Sequence, residues 1–296
     1  MVSGVDAQNV VPAAQPLSRP KWAPVAVYSA AQLDAPTRAF YLRVLDAIEE
    51  AGIRYVVAGA YALAYHAGIV RHTKDLDLFV RRQDVPKALE ALEQTLGARS
   101  DWAHPHWLAK SYANEADHTD GAFLDFIFRS ANGMCAVDDA WLDAACPGDV
   151  LGRRTPLCPA EEMIWSKAWV QARERFDGAD IVHLVHARGR EMDWRRLIDR
   201  FASGRNGGER ILLGHLLAFG FVYPAERDTV PDWVIDELGD RIRNEPAVKE
   251  KLCRGTMLSW DQYLPDVKER GYVDSRLEPY GALTKAEVKE WTASPK

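Results

Sequence analysis

Residues 54–82, RYVVAGAYALAYHAGIVRHTKDLDLFVRR, constrain this chain more than any other stretch. Tyr55-Val56-Val57 reads as a short buried strand, and Gly59 breaks it. Residues 60–65 read as a helix that ends before Gly68. A loop over 69–74 then leads into a second strand, 76–80, with Asp75 and Asp77 at its head. Strand side chains alternate between faces. At a spacing of two, both carboxylates point to one face, while Leu76, Leu78 and Val80 point to the other.

Such a pair is costly without a cation. Two carboxylates a few Å apart repel, and one takes up a proton unless a metal binds. Hard oxygen ligands favour Mg²⁺ or Mn²⁺. Gly59 adds the other half of a phosphate site: it lets the backbone approach a ligand closely, and the N–H groups opening the next helix attract phosphate oxygens. The plainer alternative is a strand ending in solvated acids after a tight turn. The strand–Gly–helix unit just upstream weighs against it.

Gly59, followed by Thr73-Lys74-Asp75-Leu76-Asp77-Leu78, resembles the signature of the nucleotidyltransferase (DNA polymerase β-like) superfamily. Its R-x-T-x-D-L-D-L form, residues 71–78, resembles the AbiEii-like or minimal nucleotidyltransferase branch. That pattern sets Gly-Gly or Gly-Ser at a helix start and Asp-x-Asp on the next strand. The second small residue here is Ala60, so a backbone N–H is kept and a serine hydroxyl is lost. The resemblance implies an α/β (α+β) core with a small mixed sheet, followed by an all-helical C-terminal domain. It implies an enzyme that moves a nucleoside monophosphate from a nucleoside triphosphate to an acceptor hydroxyl and releases pyrophosphate, with Mg²⁺ or Mn²⁺ as cofactor. Asp75 and Asp77 would be catalytic metal ligands. Gly59, Ala60, Arg71, Thr73 and Lys74 would form part of the nucleotide site. Asp125, the one charged residue in the apolar run 123–128, matches the superfamily's third carboxylate on the neighbouring strand. Its alternative is an edge-strand acid facing water.

A second region extends the resemblance. Lys167 stands among Met163, Ile164 and Val170, either as a snorkelling stem or as a cation aimed into a cleft. Downstream, Arg175-Phe176-Asp177-Gly178-Ala179-Asp180 places Asp177 as a helix N-cap and Asp180 in the first turn. The same run resembles the AbiEii-like pattern of a lysine on one helix, then an arginine and D-x-x-D opening the next. On that resemblance Lys167 reaches the nucleotide phosphates, and Asp177 or Asp180 holds groups across the cleft. Both readings of these acids stay open.

The rest of the chain bounds the answer. A net charge of −6 over 296 residues gives no global basic field for nucleic acid. Cys135, Cys146, Cys158 and Cys253 form no C-x-x-C pair, which suits reduced thiols in a cytoplasmic protein. No apolar run approaches a membrane span, and the N-terminus does not read as a signal peptide. Three units are expected: an extended arm over 1–30, a catalytic domain over 31–155 and a helical domain over 156–296. Asp34 and Pro36 open a helix that buries Phe40, Val44, Leu45 and Ile48. A further helix is expected over 85–96. Strands are expected over 107–112 and 123–128, with a turn over 114–121 and a loop over 147–156. From Pro159 the chain reads as helical, with helices over 159–174, 194–201, 210–219, 233–243 and 247–257. A capping box at Thr284 opens the last helix. His104, His106 and His118 are set aside as polar loop residues, not a zinc site.

A non-catalytic nucleotide-binding module is the rival reading, suggested by Ala60. A toxin or defence role with an antitoxin-like partner is a biological variant of the same chemistry. The acceptor stays open among tRNA, protein and small molecule.

Overall fold

The computed structural model describes residues 33–71, 73, 75–113, 121–202 and 207–293. The expected arm over 1–30, Lys74, His118 and nearly all of the turn over 114–121 lie outside them.

Helix α1 (Ala35–Glu50) starts as its sequence dictates. The Asp34 carboxylate accepts the Thr37 N–H at 2.8 Å, and Pro36 sits in the first turn. Phe40, Tyr41, Val44, Leu45 and Ile48 form its buried face. Strand β1 (Val56–Val57), α2 (Gly59–Ala67) and β2 (Asp75–Phe79) follow, then α3 (Val85–Leu96). Next come β3 (Arg99–His104), β4 (Leu108–Tyr112), β5 (Phe123–Ile127), the short α4 (Asp139–Asp143), β6 (Cys146–Val150) and β7 (Arg153–Leu157).

These strands make one mixed sheet of seven, in the order β3-β4-β5-β2-β1-β7-β6. The β2–β5 and β1–β7 pairs are parallel and the other pairs antiparallel. Val57, Leu76, Leu78, Leu124 and Phe126 share a core with Val44, Leu45 and Ile48 of α1 and Ala88 and Leu92 of α3. Alternation then sends Asp75, Asp77 and Asp125 to the opposite face.

The chain continues through α5 (Ala160–Lys167), α6 (Gly178–Arg188), α7 (Trp194–Ala202), α8 (Gly208–Val222) and α9 (Asp232–Arg243). Strand β8 (Leu252–Cys253), α10 (Trp260–Lys268), β9 (Val273–Asp274) and α11 (Lys285–Ala293) complete it. A second core joins Val56, Ala62 and Leu63 to Trp141, Ile164 and Trp165, and runs on to Ile181, Leu197, Leu212 and Val234. Apolar packing is therefore continuous across residue 155. Helix α11 opens with the expected capping box: the Thr284 N–H donates to Glu287 at 2.8 Å, and the Glu287 N–H donates back to the Thr284 hydroxyl at 3.3 Å. Among the described residues no helix is long and apolar enough to cross a membrane.

Three local expectations are corrected and one strand is added. The loop over 147–156 is the β6–β7 hairpin, with Pro147 facing Pro156. β6 is an edge strand, where a proline's missing N–H costs no ladder bond. Residues 99–104 form β3, the other edge, whose polar composition hid it. The helix expected over 159–174 stops at Lys167, and the chain doubles back through a Gln171–Phe176 bridge. The helix expected over 247–257 is replaced by the parallel β8–β9 pair and a 3₁₀ turn at Gly255–Met257, the exception in a C-terminal region otherwise built of helices.

Candidate active site

The site begins at the turn between β1 and α2. The Ala58 N–H donates to the Asp77 carbonyl at 2.9 Å, so the turn lies against β2. Gly59 has φ +55°, a region L side chains rarely adopt, and a Cβ there would sit 1.8 Å from Asp77 Oδ2. Glycine is thus required for backbone geometry and for space. The sequence suggested a close approach by a ligand; the nearest group is the protein's own carboxylate.

Asp77 stands opposite Asp125 in the parallel β2–β5 ladder, with Asp75 two residues before it. One oxygen from each of these three acids lies within 4.8 Å of the others. Each acid is braced differently. The Thr73 hydroxyl donates to Asp75 Oδ1 at 2.5 Å. Lys110, opposite Asp125 in β4, donates to Asp125 Oδ1 at 2.6 Å, and its ammonium lies 4.6 Å from the Phe123 ring centroid. Asp77 rests on Gly59. Asp125 is not an edge-strand acid, since β5 runs between β4 and β2.

The electrostatics follow. Burial, reinforced by the charges of Asp75 and Asp125, pushes the Asp77 carboxyl up to about 7, with Lys167 and Arg175 offsetting only part. Burial also raises Asp125, against the pull of Lys110.

The facing wall comes from the end of α5 and the start of α6. Lys167 Nζ lies 3.0 Å from Asp177 and 2.8 Å from Asp180. Arg175 pairs with Asp177 at 3.2 Å. Arg71 reaches Asp180 through both terminal nitrogens, one at 3.2 Å. Lys167 is only 17% exposed, with its ammonium in this cluster, so it does not snorkel to solvent. Asp177 occupies the N-cap position but makes no capping bond; its carboxylate serves the cations instead. Burial acts to raise the Asp177 carboxyl, but Lys167 and Arg175 outweigh it and hold it below its ordinary range.

A cleft of about 400 Å³ joins the two walls. Gly59, Ala60, Arg71, Asp75, Asp77, Asp125, Lys167, Asp177 and Asp180 all line it, as do Trp107, Arg129 and Arg175. Thr73 stands behind, holding Asp75. A larger cavity, about 880 Å³, is bordered by α8, α9 and residues 244–254 and contains none of these groups. Among the described residues only the three aspartates form a metal-ligating set, and His104 and His106 stay outside it. Lys110 and Arg175 were not anticipated as site residues. Lys110 is the lone cation of β4 and Asp125 the lone anion of β5, but only the register shows that they meet. Arg175 stands in the run 175–180, but only the fold shows that it pairs with Asp177 on the cleft wall.

A protein family described as "uncharacterised nucleotidyltransferase" matches residues 26–212. No curated protein matches the chain. Among solved structures, the antibiotic-resistance factor ANT(2″)-Ia is 17% identical with a TM-score of 0.39, covering 58% of this chain and 92% of its own. The lincosamide antibiotic adenylyltransferase LnuA is 17% identical with a TM-score of 0.35, covering 50% and 94%. An antigenic nucleotidyltransferase-like protein from Paracoccidioides brasiliensis is 14% identical with a TM-score of 0.37, covering 60% and 90%. At this level of overlap these likenesses carry nothing about substrate. The family match takes in every cleft residue and more than half of the chain: the protein belongs to this family of nucleotidyltransferases and is a transferase.

Proposed function

We propose that the cleft moves a nucleoside monophosphate from a nucleoside triphosphate to an acceptor hydroxyl, releasing pyrophosphate, with Mg²⁺ or Mn²⁺ held by Asp75, Asp77 and Asp125. The observation that carries this reading is the convergence of three carboxylate oxygens within 4.8 Å, facing a wall of cations. The donor set is all oxygen, as hard divalent cations require. The raised Asp77 carboxyl marks a negative charge that such a cation would relieve.

When bound, the metal would supply neutralisation of phosphate charge and a lowered pKa for the attacking hydroxyl. The protein's residues do the rest. Asp125, on the strand away from Gly59, accepts the hydroxyl proton. The N–H groups opening α2, from Ala60 on, face phosphate oxygens. Arg71, Lys167 and Arg175 hold the triphosphate by exchanging part of their pairing with Asp177 and Asp180 for charge-assisted bonds to phosphate. Three cations against two acids leave this wall positive. Thr73 and Lys110 fix the rotamers of Asp75 and Asp125 before any ligand arrives. In this reading residues 31–155 form the catalytic unit, and 156–296 close it with the Lys167 wall.

The test is incubation of the protein with Mg²⁺, each labelled nucleoside triphosphate and a cell extract. Label should pass to one acceptor class, RNA, protein or small molecule, with matching pyrophosphate. Tight nucleotide binding with no labelled product from any triphosphate would instead make the cleft a binding module.

A further inference from the structure

Helix α8 is apolar on two faces. One face, with Leu212, His215, Leu216 and Phe219, is buried, and Leu212, Leu216 and Phe219 join the core shared with α6, α7 and α9. The other carries Arg210, Gly214, Leu217 and Phe221, at spacings of four, three and four. That is the seam spacing with which one helix packs along another. Leu217 is 60% exposed and Phe221 87% exposed, with Val222 and Ala218 exposed beside them. A helix apolar all round is normally buried, and a contiguous exposed apolar stripe marks a contact surface. Among the described residues nothing covers this one.

We propose that a second copy of this chain covers it, with α8 packed antiparallel on α8 about a two-fold axis between Leu217 and Ala218. The stripe complements its own inverted image in shape. Gly214 is a notch: a Cβ there would meet nothing within 4 Å. Phe221 is the knob, seven residues on. Inversion about the axis lays the Phe221 ring of each copy over Gly214 of the other, the self-matching arrangement a two-fold contact requires. The stripe also complements itself in charge. Arg210 stands exposed at its N-terminal end, and Glu226 stands half exposed just past its C-terminal end. The same inversion sets Arg210 opposite position 225, beside the turn past α8 that carries Glu226 of the other copy, at both ends. Within one chain Arg210 pairs with Glu245 at 2.9 Å and Glu226 with His186 at 3.2 Å. Arg210 and Glu226 are the exposed members of these half-buried pairs, at 53% and 48%, so each can turn towards a new partner.

Other occupants fit less well. A membrane-surface helix needs a strongly basic polar face, and this stripe has one arginine. An unrelated protein would have to supply notch, knob and both charges, all of which this chain already carries. A single helix seam is a small contact beside the roughly 800 Å² per partner of a standard interface, so the dimer is a reversible one.

Sedimentation velocity on the full chain, from low to high micromolar concentration, tests this. The wild type should shift from monomer towards dimer as concentration rises. Phe221→Glu should stay monomeric throughout with unchanged circular dichroism and melting temperature, because the side chain is exposed. Arg210→Glu and Glu226→Arg should each weaken the dimer about tenfold, and the double variant should restore it. A wild type that is monomeric at every concentration overturns the proposal. So does a dimer that survives Phe221→Glu, or a double variant no tighter than the singles.

Discussion

Asp77 and Asp125 stand directly opposite each other in adjacent parallel strands, and Lys110 stands opposite Asp125 on the next strand over. Acid, acid and cation thus lie in line across the sheet. The two acids are inequivalent for that reason. Asp125 has an ammonium at 2.6 Å, while Asp77 has its backbone glycine and two negative neighbours. Removing charge from one therefore differs from removing it from the other.

Asp77→Asn should raise the melting temperature of the metal-free protein at about pH 8, because it deletes a buried charge repelled by Asp75 and Asp125. Asp125→Asn should raise it less, because the Lys110 ammonium at 2.6 Å already offsets part of the burial cost of that charge and loses its bond in the variant. Both should cut turnover on the order of 10²-fold or more. Paired melting and turnover measurements check this. Equal melting shifts in the two variants would contradict the asymmetry.

The pH dependence of stability has a definite sign. The Asp77 carboxyl is raised in the folded chain to about 7, above its unfolded value near 4. The stability from its protonated form is complete below the unfolded value and is lost as pH rises through about 7. The metal-free wild type should therefore lose melting temperature between about pH 5 and about pH 8 relative to Asp77→Asn. Saturating Mg²⁺ should raise the wild-type melting temperature more at about pH 8 than at about pH 6, since metal and proton compete for the same carboxylate. A chelator should reverse the gain. A constant difference between wild type and variant across this range would rule out Asp77 as the titrating group.

Lys167→Met keeps the stem and removes the charge. Nucleoside triphosphate affinity should fall about tenfold or more, the loss of one charge-assisted bond. Titration calorimetry with Mg²⁺ and nucleotide reads it. Unchanged affinity would restrict Lys167 to holding Asp177 and Asp180.

Asp274→Ala serves as a contrast far along the chain. Arg276 is fully buried and pairs with Asp274 at 2.6 Å. Removing the acid leaves a buried guanidinium without its anion, at a cost of about 3 kcal/mol. The melting temperature should drop by several degrees with nucleotide affinity unchanged. A matching fall in affinity would mean that the C-terminal segment shapes the nucleotide wall.

What could be read from the sequence was local. The Asp75/Asp77 face, the turn at Gly59, the Asp34 cap and the capping box at Thr284 each depend on residues within four positions of one another. The structure reproduces each of them. Lys110 meeting Asp125 depends on a register between strands fifteen residues apart, which no local pattern encodes. Pro147 and Pro156 gave the β6–β7 hairpin the composition of a loop. The helix expected over 159–174 has no Gly or Pro to stop it at Lys167. It ends where the chain doubles back and the Gln171 N–H donates to the distant Leu258 carbonyl, a tertiary contact that overrides propensity. Residues 247–257 likewise exchange a helical pattern for a strand pair with Val273 and Asp274, supplied from about twenty residues away.

Because the space above the Gly59 Cα is filled by the Asp77 carboxylate, positions 59 and 77 are bound to a common history. A lineage that kept this fold but abandoned its chemistry could shed the acid first. That would clear the space at 59, while the left-handed backbone there would still favour glycine until the turn itself changed. In the reverse order a methyl group at 59 would force the Asp77 carboxylate out of its present position. Glycine at 59 and the carboxylate at 77 are therefore one steric unit: a side chain at the first displaces the second from the cluster with Asp75 and Asp125.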